Sequence, residues 1–138
     1  MSLPEELKIL LAEDNFINQK VAVLTLKHLN LNCDLASNGL EAVEMFQQKF
    51  YDLVLMDVRM PVLDGLEATK LIRSYEESAN LPRKSFIIAL TANEPSEFGQ
   101  NFQDVGMDGF MEKPLMVEKF VELLTKITVT QESRIQKK

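Results

Sequence analysis

Side chains able to do chemistry stand at the ends of several apolar segments of this chain. In chain order they are Glu13 and Asp14 after residues 7–12, Asp57 after 53–56, Thr91 after 86–90, and Lys113 after 110–111. In an open parallel sheet, ligands bind beyond the carboxyl ends of the strands. If the first and third strands are neighbours, three carboxylates, one hydroxyl and one ammonium meet in a single pocket.

This combination of groups indicates phosphoryl chemistry assisted by a metal ion. Clustered carboxylates repel one another unless a cation joins them. Their hard oxygen ligands suit Mg²⁺, or Mn²⁺, better than zinc. A carboxylate such as Asp57 can itself act as a nucleophile and form an aspartyl phosphate. The cation and Lys113 would then neutralise charge on the transferring oxygens, and the Thr91 hydroxyl would donate a hydrogen bond to one of them.

Each of these residues also has a purely structural interpretation. Asp14 can cap a helix N-terminus, as can Asn15 or Asn18, because short polar side chains are favoured there. The threonine and the lysine, taken singly, are ordinary strand and surface residues. Asp57 is harder to explain in this way, because charged residues are almost never buried without a partner. The joint placement at the strand ends favours a functional site.

The elements that must hold these residues follow from hydrophobic patterning. The continuous apolar segments are typical of strands buried on both faces of a parallel sheet, and the alternating residues 33–36 are typical of an edge strand. Between these predicted strands, apolar residues recur at the spacing of one helix face. The predicted stripes are Ile17, Val21 and Leu24; Val43, Phe46 and Phe50; Ala68, Leu71, Ile72 and Tyr75; Phe98, Phe102 and Val105; and Val117, Phe120, Val121 and Leu124. Repeated alternation of strand and helix predicts a doubly wound α/β domain.

Composition sets the outer limits on function. The chain has 138 residues and a net charge of -6, which disfavours nucleic-acid binding through phosphate contacts. Its single cysteine, Cys33, excludes an internal disulfide and predicts a small buried hydrophobe. No apolar run is long enough to span a bilayer. We expect a soluble, cytoplasmic chain without membrane contact, with a leader or linker at 1–4, one domain at 5–128 and a polar tail at 129–138.

Five short motifs point to a known family. They are Leu11-Ala12-Glu13-Asp14-Asn15, Leu55-Met56-Asp57-Val58-Arg59-Met60-Pro61, Asp64-Gly65, Leu90-Thr91-Ala92 and Glu112-Lys113-Pro114. Their order and spacing resemble the receiver domain of two-component response regulators. Residues 13–18 and 106–108 most resemble the receivers of hybrid sensor histidine kinases.

The resemblance implies the flavodoxin-like receiver fold, a five-stranded parallel sheet in the order 2-1-3-4-5 flanked by five helices. It implies that Asp57 is the phosphoacceptor. It further implies phosphoryl contacts from Thr91 and Lys113, a switch aromatic at Phe110, and a cis bond between Lys113 and Pro114. The implied metal ligands are Asp14, Asp57 and the backbone carbonyl of Arg59, with Glu13 assisting through water.

The function implied by the resemblance is a signalling switch. A histidine kinase or a histidine phosphotransfer protein would donate the phosphoryl group from a phosphohistidine. The receiver catalyses this transfer onto itself and slowly hydrolyses the product, whereas a hybrid parent protein would be a histidine kinase. A downstream protein would bind the face formed by the fourth helix, the fifth strand and the fifth helix.

Other functions fit the sequence less well. A degenerate receiver acting only as a docking module would not need Asp57, Thr91 and Lys113 together. A haloacid-dehalogenase-like phosphatase would carry a second Asp two residues after its nucleophile, where this chain has Arg59. The glycine-rich phosphate loop of nucleotide hydrolases is absent. An FMN-binding protein of this topology would place phosphate near the first strand, where Glu13 and Asp14 would repel it.

Overall fold

A computed structural model describes residues 7–92 and 102–136 of the chain. These residues form one five-stranded sheet in the order β2-β1-β3-β4-β5, and all its strand pairs are parallel. The strands are β1 (Ile9–Ala12), β2 (Cys33–Ala36), β3 (Leu53–Asp57), β4 (Phe86–Thr91) and β5 (Gly109–Glu112). The expected fold class and strand order are confirmed.

Four α-helices, rather than five, occur in the part of the chain that the structure describes. They are α1 (Phe16–Lys27), α2 (Gly39–Gln48), α3 (Gly65–Ser78) and α4 (Val117–Gln136). The helix predicted around Phe98 lies mostly on 93–101, outside the described residues, and its last turn, Phe102–Val105, is a 3₁₀ helix. Gly106 ends this turn at φ 102°, a left-handed conformation that stops a helix.

The last helix is longer than the sequence analysis predicted. The expected domain boundary was residue 128, but α4 continues through Gln136. No glycine or proline follows Pro114, so the sequence contains no strong signal that would end the helix earlier. The predicted polar tail therefore begins as part of α4. The predicted leader, 1–4, lies outside the described residues.

Two hydrophobic layers cover the sheet, one on each face. Alternate residues of β1, β3 and β4 enter opposite layers, which explains why these strands are apolar at every position. On one face they pack against Ala42, Val43 and Phe46 of α2 and Ala68 and Ile72 of α3. On the other face they pack against Ala22 and Leu26 of α1 and Phe120 and Leu124 of α4.

The apolar stripe predicted for α1 is wrong, because the helix packs on the sheet with a different face. Ile17 and Leu24 are 69% and 60% exposed, and the buried residues are instead Ala22, Thr25 and Leu26. This helix has apolar residues on both of its sides, so periodicity alone could not select the face that packs on the sheet. None of the described helices is both long enough and apolar enough to cross a membrane.

Candidate functional site

The three acidic side chains singled out in the sequence lie together at the carboxyl edge of the sheet. Asp57 ends β3, and β1 runs beside it with Ala12 opposite Met56, so Glu13 and Asp14 emerge next to Asp57. One carboxylate oxygen from each acid lies within 4.8 Å of the others. Glu13 and Asp57 are buried, whereas Asp14 is exposed.

Lys113 supplies the positive charge of the cluster. Its Nζ lies 3.0 Å from Glu13 Oε1 and 3.1 Å from Asp57 Oδ2. Its backbone amide donates to the carbonyl of Thr91 over 2.7 Å, which fixes the end of β5 to the end of β4. The lysine that sequence analysis placed near the acids therefore bridges the two buried ones.

Burial and charge shift the proton affinities of this pair. Burial and the charge of Glu13 raise the pKa of Asp57 to about 7, although Lys113 works in the opposite direction. Burial also disfavours the charged form of Lys113, but the carboxylates of Asp57 and Glu13 outweigh it and raise the lysine pKa. Three carboxylates face one ammonium, so the cluster retains an excess of negative charge that a cation can neutralise.

The start of α1 orients Glu13. The side chain of Asn15 accepts the amide of Asn18 at 2.9 Å, so Asn15, rather than Asp14, is the N-cap. The Asn15 amide donates to Glu13 Oε2 at 3.1 Å, and the Gln19 side-chain amide donates to the Glu13 carbonyl at 2.6 Å. The sequence analysis did not identify Gln19. The polar residues on both sides of Phe16 and Ile17, between positions 13 and 19, were the signal available for it.

The loop after Asp57 approaches this residue closely. The amide of Arg59 donates to Asp57 Oδ1 at 3.2 Å, and the Arg59 side chain is exposed. The amide of Gly65 donates to the Val58 carbonyl at 2.9 Å. A Cβ atom on Gly65 would lie only 2.2 Å from the Asp57 carbonyl oxygen. Gly65, which belongs to one of the five family motifs, is required by this close backbone approach.

The same loop contains a strained turn. Val62 has φ 71° and is 75% exposed, and the Leu63 amide donates to the Pro61 carbonyl at 2.7 Å across it. This is the pattern of a γ-turn with a positive φ, which is rare, and a β-branched residue makes it costly. Such strain clusters at functional sites.

The remaining predicted residues lie on the neighbouring strands. Thr91 is buried at the end of β4, one position beyond the pair formed by Asp57 and Leu90. Phe110 on β5 is 40% exposed, and its ring lies 5.5 Å from that of Phe102 in an edge-to-face arrangement. The bond between Lys113 and Pro114 is cis, as the resemblance implied.

The donor set of the cluster suits a hard divalent cation. Glu13, Asp14 and Asp57 offer only carboxylate oxygens, and oxygen-only coordination is what Mg²⁺ prefers. One of the three is solvent-exposed, which leaves an entry path for a hydrated ion. The described residues therefore fit a magnesium-type ion beside the buried carboxylate of Asp57.

Comparison with known proteins places the chain in a family. It belongs to the response regulator receiver domains, whose family model matches residues 9–125. It is 43% identical over 139 residues to Histidine kinase 5 of Arabidopsis thaliana, and 42% identical over 119 residues to Hybrid signal transduction histidine kinase F of Dictyostelium discoideum. These alignments cover 85% and 86% of this chain but only 15% and 11% of the relatives.

Solved structures agree with this assignment. One is the receiver domain of the sensor histidine kinase PA1611 of Pseudomonas aeruginosa, which was crystallised with magnesium in its active site cleft. It is 37% identical to this chain, with a TM-score of 0.76, and the match covers 86% of this chain and 94% of that one. The Ssk1 receiver domain of Saccharomyces cerevisiae, solved with the phosphotransfer protein Ypd1, is 29% identical with a TM-score of 0.83, covering 95% and 94%. The Arabidopsis CKI1 receiver with Mg²⁺ and BeF₃⁻ is 28% identical with a TM-score of 0.79, covering 88% and 89%.

Proposed function

We propose that this chain, as a member of the receiver family, is a phosphoacceptor switch. In this proposal Asp57 takes a phosphoryl group from a phosphohistidine of a histidine kinase or a histidine phosphotransfer protein. The main support is the position of Asp57, which is a buried carboxylate in contact with the Lys113 ammonium and beside two further acids. A docking module without phosphorylation would not need this charge arrangement, which costs stability in a buried place.

The transfer would proceed by direct displacement at phosphorus. A carboxylate oxygen of Asp57 forms the new oxygen–phosphorus bond while the bond from phosphorus to the histidine nitrogen breaks. The imidazole leaves with the electron pair of that bond and ends as neutral imidazole, either because its other ring nitrogen already carries a proton or because the leaving nitrogen takes one from water. Lys113 lies close enough to Asp57 to neutralise charge on the transferring oxygens, and Thr91 offers a hydroxyl at the next strand end.

A magnesium ion completes the proposed site. Glu13, Asp14, Asp57 and the backbone carbonyl of Arg59 are the groups that would hold it, with Glu13 acting through water. When bound, the ion would neutralise charge on the phosphoryl oxygens and lower the repulsion among the acids. The magnesium-bound receiver of PA1611 supports this assignment.

Three exposed apolar side chains follow the strand ends at the edge of the sheet that holds the proposed site. Phe16, Val62 and Met116 follow the carboxyl ends of β1, β3 and β5 and are 66%, 75% and 50% exposed. Because these strand ends share one edge of the sheet, the three side chains border the phosphoacceptor. They supply an apolar rim on which a phosphodonor protein can dock, and the complex of Ssk1 with Ypd1 supports a partner of that class.

The output of the switch is proposed to run through Thr91 and Phe110. Phosphorylation would draw the Thr91 hydroxyl toward the new anion and change the packing of Phe110, which now contacts Phe102. A downstream protein would bind the face formed by β5, α4 and the predicted helix near Phe98. We further propose that the domain works in the cytoplasm as part of a longer hybrid histidine kinase, since the relatives that it matches are much longer.

The proposal is tested by intact mass spectrometry with a small phosphodonor such as phosphoramidate and Mg²⁺. The wild-type protein should gain one phosphoryl mass, and Asp57→Asn should gain none because the amide is not nucleophilic. Asp104→Asn is the matched control, because Asp104 is an exposed acid on the 3₁₀ helix, and it should behave like the wild type. Chelation of Mg²⁺ should stop the reaction. A wild-type protein that gains no mass would instead favour a docking module.

A further inference from the structure

A buried hydroxyl on α1 contacts the segment that carries Lys113. Thr25 Oγ1 lies 2.9 Å from the backbone carbonyl oxygen of Leu115, although the two residues are 90 positions apart in the chain. It also lies 3.0 Å from the Val21 carbonyl of its own helix. Both Thr25 and Leu115 are buried, so water cannot replace this contact.

The Leu115 carbonyl depends on the Thr25 hydroxyl more than the Val21 carbonyl does. In an α-helix, the Val21 carbonyl already accepts the backbone amide four residues later, so it does not depend on the side chain. Leu115 lies between β5 and α4, before the helix begins at Val117. Without the Thr25 hydroxyl, its buried carbonyl would lose the hydrogen bond that the structure gives it, which is unfavourable.

The position of Leu115 connects this contact to the site. Lys113 lies two residues earlier, and its amide is held by the Thr91 carbonyl at 2.7 Å. Pro114, between them, has no amide proton to donate. The short segment 113–115 is therefore held at one end by β4 and at the other by α1. From this segment the Lys113 ammonium reaches Glu13 and Asp57.

The helix that carries Thr25 also orients the acidic side of the site. Gln19 donates to the Glu13 carbonyl, and Asn15, at the N-cap, donates to the Glu13 carboxylate. Hydrogen bonds from α1 therefore hold both Glu13 and the segment that carries Lys113. The distance between them depends on Thr25 as well as on the strands.

We propose that Thr25 is a positioning residue for Lys113 in phosphoryl transfer, an inference that rests on the proposed function. Thr25→Val keeps the shape of the side chain and removes the donor. It should slow phosphorylation by phosphoramidate about tenfold, because small displacements of a reacting group cost large factors in rate. Thr25→Ser keeps the hydroxyl and should react within about twofold of the wild type by the same argument.

Thr125→Val is the matched control. Thr125 is an exposed threonine of α4 whose hydroxyl donates only to the Val121 carbonyl of its own helix, at 3.1 Å. Its replacement should leave the rate unchanged. All assays are made well below the unfolding temperature of each variant, so that a loss of stability alone does not change the rate.

A double-mutant cycle separates positioning from general structural damage. Thr25→Val should slow the reaction about tenfold when Lys113 is present and have no effect in a Lys113→Ala background, because its effect passes through the lysine. Equal slowing in both backgrounds, or no slowing in either, would overturn the inference.

Hydrogen exchange supplies a measurement that does not depend on phosphorylation. The Lys113 amide should exchange about tenfold faster in Thr25→Val than in the wild type, but not in Thr25→Ser or Thr125→Val, because only the first loosens segment 113–115. If the wild type is never phosphorylated, the proposed function fails, and this exchange pattern still decides whether Thr25 positions Lys113. Unchanged Lys113 exchange in Thr25→Val would refute it.

Discussion

Two groups of acids in this domain, each with a buried member, differ in how far their charge is balanced. At the carboxyl edge of the sheet, Glu13 and Asp57 share the Lys113 ammonium with the exposed Asp14 beside them. A second group joins α3 to the start of β4 and to the segment before β5. There Arg73 contacts Glu76 Oε1 at 2.7 Å and Asp108 Oδ2 at 2.9 Å.

The second group satisfies nearly every hydrogen-bonding position around its guanidinium. Arg73 also donates to the carbonyls of Gly106 and Ser85 at 2.9 and 2.8 Å. The amides of Ser85 and Ile87 donate to the carboxylates of Glu76 and Asp108 at 2.7 and 2.9 Å. Such extensively hydrogen-bonded charges hold elements together.

The cluster around Asp57 carries a larger excess of negative charge, because the second group sets two acids against one arginine. Three acids face one lysine, and the pKa of Asp57 is raised by burial and by Glu13. The proposed function, in which the site accepts a divalent cation and then a phosphoryl group, needs charge and space that the resting contacts leave available. The comparison teaches that the balance of charge, rather than burial itself, distinguishes the functional cluster from the structural one.

The largest expected effect is on the structural cluster. Arg73→Met should lower the free energy of unfolding by about 3–5 kcal/mol, because it leaves two carboxylates without their cation, one of them deeply buried. Urea denaturation followed by circular dichroism measures this. Lys70→Met, on the same helix, is the control, because its ion pair with Glu67 is exposed and should be worth less than about 1 kcal/mol. Similar losses in both variants would contradict the comparison.

The next largest effect concerns Gly65, which lies against the backbone of Asp57. Gly65→Ala should cost about 2–3 kcal/mol of unfolding free energy, since its Cβ would meet the Asp57 carbonyl and force the loop outward. Phosphorylation should slow as well. Gly109→Ala is the control, because its Cβ would meet only the Ile88 side chain, at 3.5 Å. A Gly65→Ala protein as stable and as active as Gly109→Ala would show that the close approach is unimportant.

Removal of a charge from the cluster around Asp57 should raise, rather than lower, the free energy of unfolding. Asp57→Asn should raise the free energy of unfolding by about 2 kcal/mol at pH 8 without divalent metal, because the raised pKa means that folding disfavours the ionised carboxylate. The native state binds this proton more tightly than the unfolded state does. Wild-type stability relative to the variant should therefore increase as the pH falls from about 7 toward 4.

Urea denaturation across this pH range, with Asp104→Asn as the control, tests the sign. The control should run parallel to the wild type, because its carboxylate is exposed. A destabilised Asp57→Asn at neutral pH would indicate that Asp57 contributes to structure in the same way as Glu76 and Asp108.

The smallest predicted effect concerns Arg59, an arginine placed differently from Arg73. Arg59 is exposed beside Asp57, unlike the half-buried Arg73, and its side chain can cover the phosphoryl group and shield it from water. Arg59→Ala should shorten the lifetime of phosphorylated Asp57 by up to about tenfold, or about 1.4 kcal/mol in the barrier, while leaving phosphoryl acceptance intact. Decay of the phosphorylated protein after donor removal measures this. An unchanged lifetime would assign Arg59 to the solvated surface, and a longer one would mean that it assists hydrolysis.

The sequence by itself determined the fold class and the placement of the site. Apolar runs and helical stripes predict the alternation of strand and helix, and acids at the strand ends predict a common edge, because parallel strands bring their carboxyl ends together. The motifs around Asp57 and Lys113 added the strand order through family resemblance. These features are local or periodic, so they can be recognised without coordinates.

Tertiary structure decided the contacts between distant residues. The outward direction of Ile17 and Leu24, the approach of Gly65 to the Asp57 carbonyl and the bond from Thr25 to Leu115 all depend on how α1, α3 and the loops pack. A helix with two apolar sides has no preferred face until the sheet selects one. A threonine or glycine has the same local pattern whether it faces solvent or a backbone carbonyl, so only packing distinguishes the two cases.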